Sequence, residues 1–393
     1  MMPGSPALSY RAKALKPSLT LEIAARAKAL QGEGRNICSL SAGEPDFDTP
    51  EFIVEAARRA LLDGYTRYGP AGGDPELRAA VAEKLSRENG LATKPNEVMI
   101  TNGGKQAIYN LFQVLLNPGD QVLIPAPFWL SYPEIAALAG ADVVTVPSSA
   151  ADGFVLDLAQ LEASITPKSR LLVLNTPGNP TGRVMAKDEL LSLADVLRRH
   201  PQMLVMSDEI YEYLLAEGHS HHSLAALAPD LRDRCFTVNG FAKGWAMTGW
   251  RLGYLAGHAD VIRAAAALQS QSTSNVCSFA QRGALAAIQG SRQCVQDMAG
   301  SYNGRRKLLV SGLQAMDGIT LVPPQGAFYA FPQLPDHITD SMEFCRRALD
   351  VEGLAVVPGA AFGDGRCIRL SCAVSRETIS DGLERLSRVL QNW

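Results

Sequence analysis

Several side chains capable of chemistry fall where strands are expected to end. Lys243 sits in Gly240-Phe241-Ala242-Lys243-Gly244-Trp245, directly after the apolar run CFTVN. A lysine held among glycine, alanine and aromatics loses hydration, its pKa falls, and it becomes a usable amine nucleophile; the ordinary alternative is a surface-loop lysine. Asp208 closes MLVMSD and is followed by Glu209, Ile210 and Tyr211. A carboxylate at the end of a buried strand is costly without a cationic or N–H partner. A helix N-terminus, a structural arginine or a protonated ring nitrogen would serve. Asn179, in the turn-rich Thr176-Pro177-Gly178-Asn179-Pro180-Thr181-Gly182, can offer an amide to a ligand, and its bond to Pro180 is a candidate cis peptide. Trp129, in Ala126-Pro127-Phe128-Trp129, can stack on a flat ligand or join the core.

Positive charge and free N–H groups recur at the same kind of position. Asn102-Gly103-Gly104-Lys105 leads into a helix. A glycine turn into a helix N-terminus presents unpaired N–H groups and the positive end of the dipole, in outline a phosphate cradle. It is no Walker A loop, because Gln106 stands where Ser or Thr should follow the lysine. Arg251 opens the apolar run RLGYLAG and can return to the same mouth as a second phosphate partner. Arg369, in CIRLSC, shares its strand face with Cys367 and Ser371. Small neighbours leave room for a carboxylate bound bidentately, or for a structural ion pair.

These residues need a scaffold that brings strand ends together. Strands are expected at 97–101, 121–125, 142–147, 170–175, 203–208, 235–239 and 251–257, with helices between most of them, as at 105–116, 130–139 and 187–199. Short apolar strands alternating with helices indicate an α/β fold with a mostly parallel seven-stranded sheet covered on both faces. Ligands then bind beyond the carboxyl ends of the strands. Before the sheet, Ser18 is expected to cap a helix from about 19 to 31, and Thr49-Pro50 to open another, with Thr49 as N-cap. A further helix is expected at 75–89. After it, a long helix at 291–316, strands near ITLVPP and AFYAF, a helix at 341–351, the strand CIRLSC and a terminal helix at 376–391 suggest a smaller α+β domain. The expected division is an N-terminal arm and small-domain segment at 1–48, a large domain at 49–290 and a small C-terminal domain at 291–393.

Composition narrows the partners. The 393 residues are 47% hydrophobic and 20% charged, which excludes a disordered chain, a coiled coil and a collagen-like polymer. With 37 Lys+Arg against 40 Asp+Glu, no basic excess points to nucleic acid or an anionic membrane. Seven cysteines without a CxxC pair suggest reduced thiols in a cytoplasmic protein. The N-terminus lacks an apolar core, so no secretory signal is expected, and no apolar run is long enough to span a membrane. His219, His221 and His222 form HxHH, but no further ligand at metal spacing is evident; a polar loop and no metal is the reading. GxGxxG and GxSxG are absent, against a nicotinamide fingerprint and a hydrolase elbow.

Taken in order, the glycine cradle, Trp129, the Asn-Pro loop, Asp208 with Tyr211, Lys243 and Arg251 resemble the class I, fold-type I pyridoxal-phosphate aminotransferases. The similarity extends to Ser41–Pro50 (SAGEPDFDTP), Tyr68-Gly69-Pro70, GGKQA, NPTG, SDEIY, AKGWAMTGWR and IRLS, and is nearest to the bacterial aspartate aminotransferase subgroup. The resemblance implies that Lys243 holds pyridoxal 5'-phosphate covalently and later moves the substrate proton. It implies that Asp208 pairs with the ring nitrogen, that Asn179 and Tyr211 bond the ring oxygen, and that Trp129 stacks on the ring. Gly103, Gly104, Lys105 and Arg251 would surround the phosphate, and Tyr68 would reach the phosphate of a neighbouring subunit in a homodimer. Gly43, Asn179, Trp129 and Arg369 would bind substrate, its α-carboxylate going to Gly43 and Arg369. A segment near Lys16–Thr20 would close over the site.

Two departures qualify this. Many relatives place a phosphate-binding serine just before the lysine or three residues before it; here Ala242 and Gly240 stand there. No arginine occurs in SQSTSNVCS (270–278) to hold a distal carboxylate. In this subgroup Lys105 takes that role, and Thr20 can add a hydroxyl. The implied pair is aspartate with 2-oxoglutarate, by a ping-pong mechanism. Aromatic, kynurenine or prephenate aminotransferases and a carbon–sulfur lyase are rivals on the same fold. A cofactor-sensing regulator is a more distant one, disfavoured by the absence of a preceding DNA-binding segment.

Overall fold

The computed structural model describes residues 7–15 and 19–393. The expected capping by Ser18 and closure around Lys16 lie outside these residues, as does the side chain of Thr20, whose backbone falls within the helix Leu19–Gly32.

Strands in chain order are Cys38–Ser39 (β1), Val98–Thr101 (β2), Gln121–Pro125 (β3), Asp142–Val146 (β4), Ser169–Asn175 (β5), Leu204–Asp208 (β6), Cys235–Gly240 (β7), Gly253–Ala256 (β8), Tyr329–Ala330 (β9), Leu354–Ala355 (β10), Val357–Pro358 (β11) and Ile368–Ser371 (β12). The central sheet has the order β2-β8-β7-β6-β5-β3-β4. Only β8 runs against its neighbours, antiparallel to both β2 and β7. Alternate residues feed separate cores on the two faces. Ile100, Leu123, Leu172, Val205 and Tyr254 point to one, and Met99, Val122, Leu171, Met206 and Leu255 to the other. Burial on both faces is why these strands read as near-continuous apolar runs.

Both chain ends build the smaller α+β part. β1 pairs with β10 in parallel, and β12 lies between β11 and β9. Cys38 and Leu40 share a core with Leu309, Phe344, Leu370 and Leu386. The helix Gln293–Gln314 supplies Leu309, and the terminal helix Arg376–Gln391 supplies Leu386.

Some expectations need correction. Thr49 does not cap the helix Glu51–Leu62; its hydroxyl donates to the Ala246 carbonyl and accepts from Trp250 Nε1, and Pro50 is the cap residue. ITLVPP is not a strand but makes one bridge, Thr320 with Gln333, because Pro323 and Pro324 cannot donate to a ladder. Arg251 precedes β8 rather than opening it and has a left-handed backbone, with φ of 55°. Among the described residues no helix is long and apolar enough to cross a membrane.

Candidate active site

The carboxyl ends of β2, β5, β6 and β7 open on one cleft, closed on the other side by the β1 loop, β9 and β12. Lys243 follows β7, and its Nζ donates to the Gly43 carbonyl at 2.6 Å. It lies 5.8 Å from the centre of the Tyr211 ring and 5.7 Å from that of Phe328. Burial, with Arg369 and Arg251 nearby, lowers its pKa to about 8 against the opposing pull of Glu44 and Asp208. Among the described residues no carboxylate forms an ion pair with it, so it gives up its proton far more readily than an ordinary lysine.

Asp208 ends β6 and is buried. Burial pushes its carboxyl up to about 6, although Tyr132 Oη donates to it at 2.8 Å and the Ile210 N–H at 3.2 Å. Two neutral donors and no cation leave a place for a ligand cation. Tyr132 was missed in the sequence; a tyrosine on a buried helix face needs a partner for its hydroxyl, and its place just after Trp129 is the signal that could have revealed it.

At the end of β2, the helix Gly104–Leu115 begins without a side-chain cap. Among the described residues no protein acceptor meets the N–H groups of Gly104 or Lys105. Gly103 has φ of +83°, and a Cβ there would lie 2.6 Å from Arg251 Nη2. Glycine therefore lets the guanidinium stand against the helix start. Arg251 is held by the Thr248 carbonyl at 2.8 Å. Lys105 Nζ lies 5.0 Å over the Trp129 ring, its pKa lowered by burial and by Arg251. N–H groups, Arg251 and Lys105 converge as an anion site.

Arg369 projects from β12 and is fully enclosed, donating to Asn179 Oδ1 at 3.1 Å and to the Ser41 carbonyl at 2.9 Å. Its flanks are the rings of Tyr329 and Phe362, 4.5 and 5.0 Å away, not only the small residues expected. Its Nε has no partner among the described residues. Asn179 turns its oxygen to Arg369, which leaves Nδ2 free to donate into the cleft. The Asn179-Pro180 bond is cis, as are Ala126-Pro127 and Thr176-Pro177. Tyr211 shares a 2.9 Å hydrogen bond with Tyr329; burial, and next the neighbouring Tyr329, raise its pKa, so it stays a phenol. Tyr329 was also missed, since Phe328 and Tyr329 in AFYAF look equally fit for a core.

Two residues stand apart from this group. Tyr68 is 93% exposed and does not enter its own chain's cleft, and the side chain of Thr20 is outside the described residues. The histidine loop also differs from expectation. His221, partly buried with its side chain 8% exposed, bonds Glu209 at 3.0 Å, a partner that its sequence spacing did not suggest.

The chain matches the class I and II aminotransferase family over residues 35–386. It is 47% identical over 386 residues to an aspartate/prephenate aminotransferase of Thermus thermophilus, covering 98% of each chain. It is 44% identical over 396 residues to a bifunctional aspartate aminotransferase and glutamate/aspartate-prephenate aminotransferase of Petunia hybrida, covering 98% of this chain and 82% of the relative. The solved Thermus thermophilus aspartate aminotransferase with maleate superposes with a TM-score of 0.94 at 46% identity, over 98% of this chain and all of the other. Pyridoxal phosphate fits the cleft's demands: a buried carboxylate with no paired cation and a buried lysine with no paired carboxylate among the described residues, and an uncapped helix start beside an arginine. The chain belongs to the class I and II aminotransferases and is a pyridoxal-phosphate-dependent enzyme of the aspartate aminotransferase type.

Proposed function

We propose that the enzyme moves the amino group of aspartate to 2-oxoglutarate in ping-pong fashion, as a homodimer with shared sites. The observation that carries the dicarboxylate reading is Lys105. Its ammonium sits in the cleft over Trp129, and among the described residues no carboxylate pairs with it. A substrate's distal carboxylate would supply that partner.

Bound pyridoxal phosphate supplies an electron sink for the charge left when the α-proton is removed. Asp208 would hold the ring nitrogen protonated, while Asn179 Nδ2 and the Tyr211 phenol would donate to the ring oxygen. Trp129 would lie against the ring face. Gly103, Gly104, Lys105 and Arg251 would bind the phosphate. Arg369, with Gly43 beside it, would hold the α-carboxylate, and Arg369 Nε offers an unused donor. Lys243 Nζ, with its pKa near 8, would carry the cofactor, then take the α-proton and return it as general acid. The small part, residues 1–48 with 291–393, would close over the cleft and exclude water.

A homodimer is supported by Val54, Leu61 and Leu62, exposed together on the outer side of the helix Glu51–Leu62, and by the nearby exposed Tyr65 and Tyr68. Such a patch marks an interaction surface. Tyr68 would there reach the partner's phosphate.

Lys105→Ala tests the substrate assignment. With cofactor saturating, we expect kcat/KM for aspartate to fall about 100-fold, the loss of one desolvated charge pair, and by a clearly larger factor than that for phenylalanine, which shares only the phosphate contact. Equal turnover of phenylalanine and aspartate by the unaltered enzyme would sink the assignment. A second reading, prephenate as amino acceptor, is favoured by the names of the Thermus and Petunia relatives. Prephenate also carries two carboxylates for Arg369 and Lys105, and formation of arogenate from aspartate and prephenate would establish it.

A further inference from the structure

Behind Asp208 lies a buried ion network that the proposed chemistry does not use. Asp208 and Glu209 are consecutive in extended chain, with the Glu209 N–H still donating to the Val238 carbonyl of β7. Their side chains therefore point to opposite sides. Asp208 faces the cleft and Tyr132. Glu209, with a side chain 1% exposed, accepts from His221 Nε2 at 3.0 Å, Ser223 Oγ at 2.7 Å and Ser207 Oγ at 3.1 Å. Glu212 lies beside it and binds the Lys84 ammonium, Asn239 Nδ2 at 2.8 Å and Asn89 Nδ2 at 2.7 Å. Tyr213 and Tyr254 also pack close to Glu212, and beyond them Glu88, which feels Lys84 and accepts from Tyr213, is already paired with Arg87 and Arg292.

The charges balance only in one protonation state. Glu209 and Glu212 bring two negative charges, Lys84 one positive charge, and an imidazolium at His221 the second. Burial acts against both partners of the Glu209–His221 pair. Their mutual attraction prevails, holding His221 above its ordinary pKa and Glu209 below its own. Without the His221 proton, one uncompensated negative charge would remain beside Asp208, in an interior that screens it weakly.

We propose that the Glu209–His221 ion pair is a positioning device for the cofactor site, cancelling from behind the charge that Asp208 and the lysine-bound cofactor would otherwise experience. This rests on the assignment of Asp208 and Lys243 to the cofactor.

The test uses the holoenzyme and the pH titration of its yellow lysine-bound chromophore. His221→Gln keeps a donor to Glu209 but not the positive charge. A more negative surrounding favours the protonated chromophore, so its midpoint should rise by about half a pH unit. Glu209→Gln removes the negative charge and with it the attraction that holds the His221 proton against burial, so the pair becomes neutral and the midpoint should stay near the parental value. The double variant Glu209→Gln/His221→Gln should return it to the parental value, whatever happens to thermal stability. A midpoint that stays put in His221→Gln, or a double variant that fails to restore the parental value, overturns the proposal and leaves the pair a structural role. If His221→Gln does not fold, His221→Asn takes its place, with the same upward shift expected and an unmoved midpoint overturning the proposal. If the unaltered protein shows no chromophore at all, the cofactor assignment falls and this proposal with it.

Discussion

At Asp208 the protein keeps a carboxylate out of water with only Tyr132 Oη and the Ile210 N–H as donors. Its pKa near 6, raised mainly by burial, fixes the sign of its effect on stability. The carboxyl favours the folded cofactor-free protein below the ordinary carboxylate pKa, and that contribution is lost as pH rises through about 6. At pH 8 the cofactor-free protein therefore holds an unfavourable charge, which a bound cation would relieve. Asp208→Asn should stabilise the cofactor-free protein at pH 8 by about 2 kcal/mol, seen in denaturant midpoints. The same variant should lower kcat/KM of the holoenzyme by about a thousandfold. A cofactor-free variant less stable than the parent at pH 8 would contradict this account. The meeting of Lys243, Asp208, Asn179 and Arg369 at one cleft was legible in the sequence because each charged or amide group followed an apolar strand or lay within one, and that of Arg251 because it comes just before one. Tyr132, Tyr329 and the Glu209–His221 pair were not. A buried phenol resembles a core aromatic in a sequence, and Glu209 meets His221 only after the chain has turned back on itself.

The helix Gly104–Leu115 must start where Arg251 can stand against it, and Gly103 allows this twice over, through its backbone conformation and its missing side chain. Gly103→Ala should weaken pyridoxal phosphate binding about 30-fold, since it strains the turn and displaces Arg251 from the phosphate. Gly119→Ala is the matched control: φ there is +87°, but nothing lies within 4 Å of the new carbon. That variant should lose a similar amount of stability, about 1 kcal/mol, without changing cofactor affinity in an absorbance titration. Equal affinity losses in both would show that strain alone accounts for the effect. The elements themselves were largely readable. The central strands fall within one or two residues of expectation because, in all but the partly exposed edge strand β4, burial on both faces makes each a compact apolar block. The reversed direction of β8 was not readable, because a buried strand has the same composition whichever way it runs. Nor was the loss of strand structure at ITLVPP, where Pro323 and Pro324 outweigh an apolar pattern.

The whole chain leaves one proposed site residue stranded. Tyr68 is 93% exposed, and although the helix beside it packs its Ile53, Ala57 and Ala60 face inward, its outer residues Leu61 and Leu62 stay uncovered among the described residues, so on the proposed assignment a single chain would hold an incomplete phosphate site. Reading the sequence alone, only the family resemblance pointed across a subunit boundary, since spacing along one chain carries no signal for a contact with another. Complementation tests the arrangement directly. Lys243→Ala removes the amine from its own chain's site. Tyr68→Glu places a carboxylate against the phosphate held by the partner. Each homodimer should be nearly inactive. In a hybrid of the two, one site receives both defects and the other receives neither. Random re-association of equal amounts makes half the dimers hybrids, so mixing should restore about a quarter of the parental activity in a C2 dimer with shared sites. Borohydride should then label only the chain that retains Lys243. If Tyr68 served its own chain, or the sites were independent, each hybrid would carry two defective sites and mixing would restore nothing.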